Sequence, residues 1–286
     1  MPADRSAQDL GGEDLVMSHF TLARHYPIEQ RIAAAGAAGI AGIGLYVGDW
    51  ERQVAEGMTP AGLQELLDRH GVVLAEIEAV QIWETEGAAG ERTQRWLELA
   101  WQLADQFGCR YLQVVGPYSQ RVDAAVERFG EVCDRAAHYG LEVGVEFLPF
   151  TNIRTAADAM TIVGGADRQN GGVCVDIWHH RRGANDSSLI EAIPAAKVMA
   201  IQINDGPMVP QLDDYKDDCL LNRRAPGDGE MHVAEFVAML LRMGVSAPWS
   251  LEVCRQGEPV GADHVRHCAD QMRAVLIDAK RLNEAG

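Results

Sequence analysis

Apolar positions along this chain follow two alternating rhythms. Short runs rich in Val, Ile, Leu and Tyr fall at 15–20, 42–47, 72–80, 111–115, 142–147, 172–176, 198–203 and 249–254, and their shortness and β-branched content predict eight strands. Between them, at 28–38, 60–70, 91–107, 121–138, 155–163, 186–193, 232–243 and 261–283, apolar residues recur every three or four positions, the spacing of one helix face. Thr59 before Pro60 predicts an N-cap with proline at the first helical position, where a missing N–H is harmless. Gly71, Gly108, Gly140 and Gly244 each stand between a helix and the next strand, where a left-handed residue ends a helix. Strand, helix, glycine, strand, repeated, predicts parallel βαβ units closed into a single (β/α)8 TIM barrel of the α/β class. No GxGxxG opens the first helix and no GxxxxGK[ST] occurs, so dinucleotide and P-loop readings lack support. The stretch 208–222 (MVPQLDDYKDDCLLN) has neither rhythm; a loop of that length between strand seven and its helix is expected to act as a lid.

A length of 286 residues suits one such barrel, read as 14–286, with residues 1–13 as a flexible polar tail. Forty-two acidic against 25 basic residues give a charge of −17, which repels nucleic acid and anionic membranes, and no local basic patch offsets it. No apolar run approaches the ~18 residues of a membrane span. Six cysteines without a CxxC pair predict a reduced, cytoplasmic protein. The expected partner is a small molecule; homo-oligomer formation is left open.

Four later strands end on a side chain that can bind a hard or borderline cation: Glu146 after VGV, Asp176 after GVCV, Gln202 within MAIQI and Glu252 within WSLEV. In a parallel barrel every carboxyl end opens on one face, so these four converge on one mouth. Three carboxylates packed there would repel one another and retain protons; a divalent cation removes that penalty and leaves positions for substrate oxygens. Each acid alone reads as well as a helix N-cap or a solvated loop residue, but four at successive strand ends favour one metal site. An oxygen-rich set without thiolates suits Mn²⁺ or Mg²⁺ and admits Co²⁺ or Zn²⁺. His19, Glu78, Trp83 and Trp178 are weaker candidates for substrate contact, with packing as the alternative for each. Asp205 is expected to orient Gln202 or a nearby water, or else to form the turn before Gly206 and Pro207.

Taken in order, VEFLP, VDIWH, IQIND, RRAPGDGE and LEV resemble the xylose-isomerase-like barrel superfamily, the sugar phosphate isomerases and epimerases, from about residue 15 to the end. The resemblance implies that Glu146, Asp176, Gln202 and Glu252 ligate one divalent ion and that Glu146 and Glu252 serve as acid and base. Many epimerase members place histidine at the third ligand. Gln202 is instead similar to the pattern of hydroxypyruvate isomerases and 3-dehydroshikimate dehydratases, and its neutral, harder amide oxygen tilts the site toward Mg²⁺ or Mn²⁺. DNA-repair members hold three zinc ions with more histidines and acids, which a charge of −17 and a single four-ligand set argue against. The resemblance further implies substrate contact for His179, three residues after Asp176, and for Arg223, three before Pro226, with Arg224 competing for that place. His180 reads as a surface-loop residue.

These residues together imply a metal-dependent isomerase or epimerase that enolises a small hydroxy-carbonyl, sugar-like substrate and reprotonates it on the other face or the next carbon. Expulsion of a β-hydroxyl, with His179 as base, would make it a dehydratase or lyase of 3-dehydroshikimate or inosose type. A non-catalytic sugar-binding barrel or partner subunit is the third reading.

Overall fold

Eight parallel strands hydrogen-bond in chain order and close on themselves: β1 (Leu15–Met17), β2 (Gly42–Tyr46), β3 (Val73–Val80), β4 (Tyr111–Val115), β5 (Glu142–Glu146), β6 (Gly171–Asp176), β7 (Val198–Ile203) and β8 (Trp249–Leu251), which pairs back with β1. The structure, a computed structural model, describes residues 5–23, 26–256 and 261–285. The expected (β/α)8 barrel is what forms. Around it run α1 (Ile28–Ala37), α2 (Val47–Ala55), α3 (Pro60–His70), α4 (Gly87–Phe107), α5 (Val122–Ala137), α6 (Ala156–Ala166), α7 (Ile177–Arg182), α8 (Ser187–Glu191), α9 (Tyr215–Leu221), α10 (Val233–Met243) and α11 (Ala262–Ala285).

Local chemistry sets the helix ends. Thr59 Oγ1 accepts from Gly62 N at 3.1 Å, and Gly71 closes α3 in the left-handed conformation at φ 64°. Thr155 and Asp158 form a capping box at the start of α6. Three short helices were not expected. α2 follows β2 with no turn residue between them, so no boundary was visible. α7 starts when Asp176, the last residue of β6, caps Trp178 N at 2.6 Å. α9 lies inside the stretch read as a lid, where Asp214 caps Lys216 N at 2.8 Å and Asp217 N at 3.0 Å.

The main apolar core fills the layer between strands and helices and includes Leu63, Ile77, Phe129, Ile162 and Phe236. A smaller cluster of Tyr111, Cys174, Met199 and Ala200 fills the barrel axis. The Tyr111 ring fits because position 144 is glycine; a Cβ there would stand 2.7 Å from Tyr111 Oη. All six cysteines are buried free thiols. Among the described residues no helix is long and apolar enough to cross a membrane.

Of the stretch read as a flexible tail, residues 1–4 lie outside the described residues. The rest packs across the amino-terminal end of the barrel. Ala7 and Leu10 are buried against Val16 and Ala75, Gln8 Nε2 donates to Cys109 O at 2.9 Å, and Trp249 Nε1 donates to Gly12 O at 2.7 Å. A few apolar residues in a polar stretch carry no period, which is why this seal was not legible.

His180, read as a surface residue, is buried on α7 with its ring 5.7 Å from that of Phe236. Burial, helped by Arg181, pushes its pKa from 6.5 down to about 4. The native state therefore holds a neutral ring that the unfolded chain protonates first. Its contribution is present in full above pH 6.5 and is lost as pH falls toward about 4. Acidification over that window should cost wild type about 2 kcal/mol of unfolding free energy that a His180→Gln variant does not lose. Denaturant titrations of both proteins at the two ends of the window measure this; equal losses would show that His180 is not the group responsible.

Candidate metal centre at the barrel mouth

β5 ends on Glu146, β6 ends on Asp176, and the first turn of α7 brings His179 beside them. One ligand atom from each lies within 4.8 Å of the others, close enough to share a cation. His179 Nε2 is 3.4 Å from Glu146 Oε1 and 3.6 Å from Asp176 Oδ2. Asp176 Oδ1 accepts from Trp178 N and, at 3.0 Å, from Asn204 Nδ2; its Oδ2 accepts from Arg223 Nη1 at 2.9 Å. Burial opposes the Asp176 charge, but Arg223, His179 and the two donors on Oδ1 outweigh it and hold the carboxyl below its ordinary range. Glu146 Oε2 accepts from Gln113 Nε2 at 3.0 Å, and Gln113 Oε1 in turn accepts from Ala79 N at 3.0 Å.

Glu252 extends β8, and its N–H donates to Ile203 O of β7 at 3.1 Å. Its Oε2 is buried 3.3 Å from Arg223 Nη1 yet accepts no hydrogen bond among the described residues. Burial pushes this carboxyl well above its ordinary range; Arg223 opposes the shift, and the charges of Asp176, Glu146 and Glu78 reinforce it. Two carboxylates in contact range, with a third whose oxygen lacks a donor, fit a divalent cation, because added positive charge would satisfy that oxygen and relieve the repulsion. Gln202 pairs in register with Asp176 on one side and Ser250 on the other, and its Oε1 accepts from Cys174 Sγ at 3.3 Å. It lies buried one strand away from the cluster.

Of the two arginines that competed for the inward position, Arg223 is buried and Arg224 is exposed. Arg223 meets carboxylates rather than open space. Beyond Asp176, its Nη1 donates to Glu252 O at 2.9 Å, and its Nη2 donates to Cys219 Sγ at 3.1 Å and lies 3.4 Å from His179 Nε2.

Other expected contacts come out differently. Trp178 is 0% exposed, sealed beneath Arg182 and Arg223, whose guanidinium carbons lie 4.3 Å and 5.5 Å from its ring, so it offers no open wall to a substrate. His19 is also 0% exposed, 4.0 Å from Asp49 and edge-on to Phe20. Glu78 accepts from Ser18 Oγ at 2.7 Å and from His19 N at 2.9 Å. Burial, reinforced by neighbouring Glu76, raises the Glu78 pKa. Packing, not an open mouth, surrounds both. Trp83 is buried as well, donating to Val115 O at 2.6 Å.

Asp205 does not reach back to Gln202. Its Oδ1 accepts from Gly206 N and Met231 N, and its Oδ2 accepts from Gly227 N and Gly229 N, so it organises the loop that follows Arg223. That fold of the loop needs glycine at 229, where a Cβ would stand 2.3 Å from Asp205 Oδ1.

Three further residues join the site. Gln113 shares the axis-facing side of β4 with Tyr111, a period-two signal that was available in the sequence. Asn204 follows Gln202 by two, just past the end of β7, and the same signal would have marked it. Tyr215 carried none, because it sits in the stretch read as a lid; its Oη is 2.8 Å from His179 Nδ1, with the two rings stacked at 5.9 Å.

Comparison with known proteins agrees with this architecture. The chain is 25% identical to a 3-dehydroshikimate dehydratase of Pseudomonas putida over 259 residues, 87% of this chain and 39% of that protein. It therefore spans about two fifths of the relative's length. An inosose isomerase of Halalkalibacterium halodurans is 29% identical over 128 residues, 44% of each chain. The solved structure of the IolI protein with a bound zinc atom superposes with a TM-score of 0.78 at 18% identity, covering 93% of this chain and 97% of that one. The curated relatives are enzymes. Residues 32–273 match the xylose isomerase-like TIM barrel family, and the chain belongs to it.

Proposed function

We propose that this barrel is a divalent-cation-dependent enzyme that removes the proton beside a carbonyl and expels water from a small polyhydroxylated ring of 3-dehydroshikimate type. The observation that carries the reading is the position of His179 Nε2, 3.4 Å and 3.6 Å from the Glu146 and Asp176 carboxylates: a proton acceptor stands beside the acidic set. The dehydratase likeness runs along most of the chain and the inosose isomerase likeness along less than half, which supports the same choice.

Glu146, Asp176, Gln202 and Glu252 are the proposed ligands, with His179, although close enough to share the cation, kept for proton transfer, and the amide oxygen of Gln202 favours Mg²⁺ or Mn²⁺ over Co²⁺ or Zn²⁺. A cation held there would polarise the substrate carbonyl and balance the charge that develops on its oxygen. His179 Nε2 takes the proton from the adjacent carbon, and the two carboxylates beside it stabilise the imidazolium. The electron pair left behind forms the new double bond as the hydroxyl on the next carbon departs. His179 returns its proton to that hydroxyl, which leaves as water, and the ring ends neutral. Isomerisation or epimerisation is the second reading. It is favoured by Glu252 Oε2, which accepts no hydrogen bond among the described residues and is a group able to return a proton from another side. Six buried, unpaired thiols support a reducing, cytoplasmic setting.

Calorimetric titration with Mg²⁺ and Mn²⁺ should give one site per chain, and Glu252→Gln and Asp176→Asn should each weaken it by at least about tenfold with far-ultraviolet circular dichroism unchanged. Unchanged affinity in both variants would dismiss this ligand set. With cation present, 3-dehydroshikimate in deuterated water should yield a product lighter by one water, and His179→Asn should slow turnover by about 100-fold or more. A product of unchanged mass would turn the assignment to an isomerase. Absence of proton exchange with ketoses, inososes and dehydroshikimate alike, with cation bound, would refute enolisation.

A further inference from the structure

The excursion 208–222 between β7 and α10 is held down by buried polar contacts. Asp218 and Arg182 form an ion pair at 3.2 Å with both side chains 3% exposed. Asp218 Oδ1 also accepts from Gln211 N at 2.9 Å, Leu212 N at 3.3 Å and Asn222 Nδ2 at 2.9 Å. One turn before Cys219, which receives the Arg223 hydrogen bond, Tyr215 projects from the same side of α9 onto His179.

We propose that Tyr215 is the positioning residue for His179: its hydroxyl accepts the Nδ1–H hydrogen bond, fixing the ring so that Nε2 keeps its lone pair for the substrate. This rests on the reading of His179 as the proton acceptor. The two ring nitrogens face different company. Nε2 lies 3.4 Å from Arg223 Nη2, which can only donate, and 3.4 Å and 3.6 Å from two carboxylate oxygens, which can only accept while ionised. A ring with its proton on Nε2 would turn that proton toward a carboxylate. That tautomer has no lone pair on the side of the reacting carbon. Among the described residues Nδ1 meets only Tyr215 Oη within hydrogen-bond distance, at 2.8 Å. A neutral imidazole carries one proton, so holding it on Nδ1 leaves the single Nε2 lone pair for the substrate. Burial raises the Tyr215 pKa, so the phenol stays neutral and does not add another negative charge to the site. Stacking at 5.9 Å and the anchored α9 keep the phenol in place.

Tyr215→Phe removes the hydroxyl and keeps the stacked ring. Magnetic resonance of labelled histidine ring nitrogens, at fixed pH and on the full chain with and without Mg²⁺, should show His179 protonated on Nδ1 in wild type and on Nε2 in the variant. Turnover of 3-dehydroshikimate should fall by about 100-fold with KM within about threefold. Wild type protonated on Nε2, or a variant with the tautomer unchanged, overturns the proposal. If wild type shows the Nδ1 proton and the variant loses it, but neither dehydrates 3-dehydroshikimate, the positioning role stands and the assigned reaction fails.

Discussion

One buried guanidinium holds the mouth of this barrel together. Arg223 Nη1 reaches Asp176 Oδ2 of β6 and the Glu252 carbonyl beyond β8 at the same 2.9 Å, bridging two strands across β7. Taking a charge out of water is costly, and breaking a buried pair by deleting one member typically costs about 3–5 kcal/mol because the other is left uncompensated. Asp176, Glu146 and Glu252 are all buried, so positive charge must come from somewhere. Arg223 supplies it within the chain, and the same demand is what makes a divalent cation fit. Trp178 packs against the guanidinium, and Asp205 gathers the loop that follows Arg223.

A polar layer continues down the axis from this point. Glu78 takes donors from Ser18 and His19, and Glu76 takes one from Ser250 at 2.8 Å. Burial raises both carboxyls, so they resist ionisation while the site above them concentrates charge. The two ends of the barrel thus differ in kind. The amino-terminal end is closed by apolar contacts of Ala7 and Leu10, and the carboxyl-terminal end is held by ions and hydrogen bonds.

The barrel was legible because strand runs and helix periods are repeated signals, and Gly71, Gly108 and Gly244 punctuate them. That Glu146, Asp176, Gln202 and Glu252 would lie at one end of the barrel was legible because parallel strand ends open on one face. What failed was everything governed by short segments. α7 spans six residues, too few for a period, so His180 looked like loop while its neighbours bury it against Phe236. α9 lies in an acidic stretch whose order comes from Asp218 and Arg182, far apart in sequence. Trp178 and His19 sit near strand ends as expected, but burial depends on what covers them, and no local pattern records that.

The placement of Tyr215, Cys219 and Arg223 on one connection, between β7 and α10, has a consequence for how such a barrel diversifies. The strand ends contribute acids whose places are dictated by the sheet, and any exchange there disturbs the charge balance of the whole mouth. The connection contributes the groups that meet His179 and the counter-charge, and it is tied down through Asp218 to Arg182 of α7 and through Arg223 to Asp176. Changes around Tyr215 can therefore alter what meets His179 without touching a strand-end acid, whereas a change at Arg223 unsettles the whole mouth.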